Sequence, residues 1–146
     1  MDCHPKHVLV VTCLVLNDQQ QILLVRHHRR GWELPQGRVE EGETLPAALH
    51  REVQEETGVA ICAETLVTVW SRLSPPAAKV FCFKARYAAG RLTPSEETPE
   101  VAWHSEADAL KAITHPVNRD RALSLLRPEP FLSFRSYSTN PYRVHP

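Results

Sequence analysis

Gly37-Arg-Val-Glu-Glu-Gly-Glu43-Thr-Leu-Pro-Ala-Ala-Leu-His-Arg51-Glu52-Val-Gln-Glu55-Glu56-Thr-Gly58-Val59 is the stretch on which the reading of this chain turns. Residues 44–57 are expected to be helical. Thr44 is a fitting N-cap, Pro46 falls in the first turn where its missing N–H costs little, and Gly58 is a C-terminal stop. On such a helix Glu52, Glu55 and Glu56 are spaced i, i+3, i+4 and share a face. At about 100° per residue Leu45 and Leu49 point along nearly the same line as Glu52 and Glu56. The core-facing stripe therefore turns acidic in its last two turns, with His50, Gln54 and Thr57 expected on the wet side. Carboxylates aimed inward repel one another, and more so as water is removed. Arg51 reaches Glu55 at i+4 and supplies one counter-charge. Hard divalent cations with oxygen ligands, Mg²⁺ or Mn²⁺, are the natural remainder.

The spacing is G-x5-E-x7-R-E-U-x-E-E-x-G-U, where U is a bulky aliphatic residue. Gly37, Glu43, Arg51, Glu52, Val53, Glu55, Glu56, Gly58 and Val59 fill every fixed position. This resembles a complete Nudix box, and the preceding Gly-Trp-Glu-Leu-Pro-Gln resembles the family's lead-in. The resemblance implies an α/β fold, a Nudix-type α/β/α sandwich around a central mixed β-sheet, with the box as a loop–helix–loop. It implies metal ligation by Glu52, Glu55, Glu56 and the backbone carbonyl of Gly37. Arg51 resembles the arginine that orients these glutamates, and Glu43 one that braces the loop. The activity implied is metal-dependent hydrolysis of a phosphoanhydride in a nucleoside diphosphate linked to another moiety, ADP-ribose or a nucleotide sugar. The other enzyme readings are a nucleoside-triphosphate pyrophosphohydrolase of the MutT type and an RNA 5′-pyrophosphohydrolase. A nucleotide-binding sensor without activity is the reading of a different class. Pro75, sixteen residues past the box, stands where ADP-ribose-cleaving relatives often carry proline. Ala77 stands where dinucleoside-polyphosphate hydrolases often carry Tyr. The general base in this family varies, and the candidates are Glu52, Glu97 and Glu100.

Outward from the box, residues 7–16 and 21–27 read as strands joined by the turn Asn17-Asp18-Gln19-Gln20. Residues 61–73 and 79–88 read as two more strands, the second half-buried, with Phe81, Phe83, Ala85 and Tyr87 alternating with Cys82, Lys84 and Arg86. A short strand is expected at 101–103. One helix is expected from the capping box at Ser105 to about Ile113, and another over 117–126. The tail after about residue 128 shows no clear period and is expected to be irregular. Arg26, Arg29 and Arg30, beside His27 and His28, are candidates for holding substrate phosphates. Glu97 and Glu100 lie on a loop broken by Pro94 and Pro99, which is read as free to close over a substrate.

The 146 residues match one domain, 1–146, large enough for a hydrophobic core without disulfides. Seventeen basic residues balance seventeen acidic ones, which is unlike a strongly basic nucleic-acid binder. No stable nucleic-acid partner and no membrane association are expected. The substrate is expected to be a small-molecule nucleotide, and a homodimer is compatible with the sequence. The four cysteines form no C-x-x-C pair and read as reduced thiols of a cytoplasmic protein. The start, Met1-Asp2-Cys3-His4-Pro5, lacks the organisation of a signal peptide.

Overall fold

The computed structural model describes residues 3–146; Met1 and Asp2, where the reading against a signal peptide begins, lie outside the described residues. In chain order the elements are β1 (Val8–Leu16), β2 (Ile22–His27), β3 (Gly31–Glu33), β4 (Gln36–Arg38), α1 (Leu45–Thr57), β5 (Ala60–Arg72), β6 (Ala78–Ala89) and β7 (Glu100–His104). Then come α2 (Glu106–Ala112), α3 (Pro116–Leu126), β8 (Ser133–Ser138) and β9 (Arg143–His145). All strands join one mixed sheet in the order β3-β2-β1-β6-β5-β8-β9, with β4 paired to β1 and β7 to β2. The β1–β6 and β5–β8 pairs are parallel and the others antiparallel.

The two faces of β1 explain the layers. Val11, Cys13 and Val15 point to one side, where they meet Ala48, Leu49 and Val53 of α1. Leu14 points to the other, into a core with Trp70, Val80, Ala122 and Leu125. Leu49 is fully buried, a contribution of roughly 1.5–3 kcal/mol for a side chain of its type. With α1 on one face and α2 and α3 on the other, the α/β/α sandwich is the observed architecture. Among the described residues no helix is long and apolar enough to cross a membrane.

Two local expectations are corrected. Strand β6 is buried from both faces over residues 78–85 and exposed beyond: Phe83 and Ala85 enter the α1 core, while Val80 and Cys82 enter the α3 core. Helices on both sides of the sheet leave that central part of the strand no wet face. The tail after residue 128 is not irregular throughout. It adds β8 in parallel beside β5 and then β9 as a hairpin edge. Its pattern hid this because Tyr137 is buried while Phe134 is exposed, in a strand of only six residues. All four cysteines are free thiols. Burial pushes the Cys82 thiol up to about 12 and raises Cys13 further, so neither supplies a thiolate near neutral pH.

Candidate active site

Helix α1 forms as its caps dictate. The Thr44 side chain accepts from Ala47 N at 3.1 Å, and Gly58 closes the helix in the left-handed conformation, φ 78°. A Cβ at Gly58 would also press on Arg91 O at 2.6 Å, so the glycine admits the chain that leads to the 93–99 loop.

The three box glutamates do not share one environment. Glu56 is buried, Glu52 half-buried, and the Glu55 side chain 60% exposed, so the expectation of three inward carboxylates is corrected for Glu55. Thr57, expected on the wet side, is buried; its hydroxyl donates to Val53 O at 2.6 Å. Arg51 binds Glu43 through two contacts, at 2.7 and 2.9 Å, and reaches Glu52 at 2.8 Å and Glu55 at 3.3 Å. Its Nη2 also donates to Arg38 O at 3.0 Å, which joins the helix to the segment following Gly37. Paired this way, the Glu43 carboxyl falls to about 2, chiefly through its hydrogen bond from Arg51.

Strand β4 carries the other wall. Gly37 lies so close to Glu52 that a Cβ there would coincide with the carboxylate. Gln36 N donates to Glu56 Oε1 at 2.9 Å, giving the buried carboxylate one partner. That bond does not offset burial, and with Glu52, Glu33 and Glu97 nearby the Glu56 carboxyl is pushed up to about 9. Glu52 is also raised, first by burial, against the pull of Arg51.

Glu97 and Glu100 part company. Glu100 pairs with Arg26 at 3.0 Å, and both are exposed. Glu97 is exposed as well, and its charge raises Glu52 and Glu56 only as a minor contribution behind burial. The loop that carries it is tied down, a correction to the reading of a free lid. Thr98 is fully buried and donates to Glu56 O at 2.8 Å, Thr93 N donates to Thr57 O at 2.7 Å, and His28 Nε2 lies 2.6 Å from Glu96 O.

The substrate-binding candidates also separate. Arg29 is exposed and Arg26 is engaged by Glu100. Arg30 grips the buried Glu33 with two bonds of 2.8 Å and lines a cavity of about 300 Å³ on the α3 side of β4. Gly37, Arg38, Arg72, Arg121 and Tyr137 share that lining. Sequence reasoning passed over Glu33, Gln36, Thr98, Arg72, Arg121 and Tyr137. One signal was available: Asn118 and Arg121 fall at helical spacing with Ala122 and Leu125, polar residues on an apolar stripe. The remainder depends on segments far apart in the chain.

Three findings suit a hard divalent cation: oxygen donors only, crowded carboxyls at Glu52 and Glu56 whose ionisation burial opposes and a cation would favour, and a backbone without a side chain at Gly37. Among the described residues the carboxylates are not drawn into a ready metal cage, because Arg51 holds Glu52 and Glu55 while Gln36 N holds Glu56.

The NUDIX domain family model matches residues 6–126. The human 8-oxo-dGDP phosphatase NUDT18 is 38% identical over 111 residues, covering 73% of this chain and 32% of that protein. An 8-oxo-(d)GTP phosphatase of Mycolicibacterium smegmatis is 30% identical over 89 residues, covering 60% of this chain and 28% of that protein. The chain thus spans about a third of the length of these curated relatives. A solved MutT protein from Bacillus halodurans superposes with a TM-score of 0.79 at 25% identity, over 95% of this chain and 98% of that one.

Proposed function

This chain belongs to the Nudix family, and from that premise we propose that it is a hydrolase that cuts a phosphoanhydride bond of a nucleoside 5′-di- or triphosphate. The observation that carries this reading is the junction at Gln36–Gly37. On one side lie Glu52 and Glu56; on the other is an arginine-lined cavity. A nucleotide lying across the junction would present its phosphates to the box side and the rest of the molecule to the cavity. The names of the 8-oxo-dGDP and 8-oxo-(d)GTP phosphatases favour nucleoside di- and triphosphates over ADP-ribose or a nucleotide sugar.

Glu52, Glu55, Glu56 and the Gly37 carbonyl are the groups that would hold a divalent cation, Mg²⁺ or Mn²⁺. When bound, the cation would neutralise phosphate charge and lower the pKa of a water. Arg51, anchored by Glu43, sets the orientation of Glu52 and Glu55 and is a positioning residue. One Glu52 oxygen is taken by Arg51, which leaves Glu97 as the better-placed general base. In that role Glu97 accepts the proton of the attacking water as its oxygen bonds to phosphorus and the bridging P–O bond breaks towards the leaving phosphate. The bond from Thr98 to Glu56 O ties the backbone next to Glu97 to the end of α1, which supports this reading.

The test is incubation with dGDP, dGTP, 8-oxo-dGDP, ADP-ribose and 5′-triphosphorylated RNA in Mg²⁺ or Mn²⁺, with products resolved by chromatography. Nucleoside mono- or diphosphate should appear, EDTA should stop it, and added metal should restore it. Ligands bound and recovered intact would identify a sensor instead.

A further inference from the structure

The strongest feature outside the box lies on the opposite face of the sheet, in the cavity floored by Val10 and Val80. Arg121 is buried, 8% exposed, yet among the described residues no carboxylate lies within ion-pair reach of it or of Arg72. The Nε of each is enclosed and has no hydrogen-bond acceptor among the described residues. Burying a guanidinium without a counter-charge is costly, and an unmet buried donor adds to that cost.

Both side chains are nevertheless held in place. Arg121 Nη2 donates to the Tyr137 hydroxyl at 2.7 Å, and its guanidinium lies 5.6 Å from the centre of that ring. Its Nη1 reaches Gln36 Oε1 at 3.4 Å, so the arginine is coupled to the residue whose N–H supports Glu56. Arg72 Nη2 donates to Pro75 O at 3.3 Å and to Thr139 Oγ1 at 3.2 Å. Two of these supports, Tyr137 and Thr139, come from the C-terminal tail. The apolar floor suits a flat ring more than a fully hydrated ion, while the terminal guanidinium N–H groups beyond those given to Tyr137, Gln36, Pro75 and Thr139 call for acceptor oxygens or nitrogens.

We propose that Arg121 and Arg72, positioned by Tyr137 and Thr139 of the tail, form a donor-only subsite that selects nucleotides presenting acceptor atoms away from the phosphates that are cut. Two sources carry that chemistry: the O6/N7 edge of a guanine, which arginine reads with two bonds, or a second phosphate on the sugar. This specificity rests on the nucleotide-substrate reading, but its test does not need hydrolysis.

The probes are GMP, AMP and adenosine 3′,5′-bisphosphate, none of which contains a phosphoanhydride. Their binding is measured by calorimetry in EDTA. GMP or the bisphosphate should bind about tenfold or more tightly than AMP, the discrimination expected of one good bidentate contact. A preference for GMP identifies the base edge as the source, and one for the bisphosphate identifies the phosphate. Arg121→Gln should bring the preferred ligand to within about twofold of AMP. Arg72→Gln, at a less buried position, should do the same and guards against a folding defect at Arg121. Equal binding of all three ligands, or a preference that survives in a folded Arg72→Gln, would overturn the subsite. Selective binding in a protein that cleaves no anhydride would leave the subsite standing and remove the hydrolase reading.

Discussion

Helices α1 and α3 sit on opposite faces of one sheet, and each carries charge into the interior in a different way. On α1 the charges of Arg51, Glu52, Glu55 and Glu56 fall within a span of six positions, and Arg51 meets Glu43 only eight residues away. On α3 the buried Arg121 is supported by Tyr137, sixteen residues later, and by Gln36, eighty-five residues earlier. The first arrangement is local, so its spacing is written in the chain. The second is assembled by the sheet, and none of its members stands out in sequence. A local acidic cluster can be moved as a unit with its helix, whereas the arginine cavity exists only when β4, β5, α3 and β8 are all docked.

That contrast sets the expected order of effects. Glu52→Gln should lower turnover by at least about 100-fold while circular dichroism stays native, because the change removes charge at the reacting phosphates without removing volume. Near-native turnover in Mg²⁺ would dissolve the distinction between the two helices, since α1 would then be structural.

The next test compares two neighbours on one loop. Glu97→Gln should cut kcat by about tenfold or more with little change in KM, as expected of a group acting in the transition state. Glu100→Gln, at an exposed residue paired with Arg26, should change kcat less than about twofold. Equal effects would mean that the tether at Thr98 has no functional consequence.

The smallest effect belongs to the assembled side. Tyr137→Phe keeps the buried ring and removes only the hydroxyl that accepts from Arg121, so it should lower stability by about 1 kcal/mol in urea unfolding. No loss would show that Arg121 is held by Gln36 and the ring alone.

Sequence by itself determined the box helix with both caps, the pairing of Arg51 with Glu55, and the sandwich that the Nudix resemblance implied. It did so because helical periodicity and capping act over a few residues, and a nine-position spacing survives any arrangement of the rest. The gradient from exposed Glu55 to buried Glu56 was not legible, since it depends on how closely β4 approaches the helix and on Gln36 N. Thr57 was misplaced for the same reason: the 93–99 loop covers the C-terminal end of α1 and removes the water that helical angles alone would grant it. Glu97 and Glu100 look alike in the chain. Thr98 and Arg26 separate them, one by a buried bond to α1 and the other by an ion pair across β2 and β7. Strand β8 needed the exposed edge of β5 to become a strand at all, because six residues with one buried aromatic carry too weak an alternation. Tertiary structure alone decided that this tail stands behind Arg72 and Arg121, because hydrogen bonds between distant segments leave no period in the sequence.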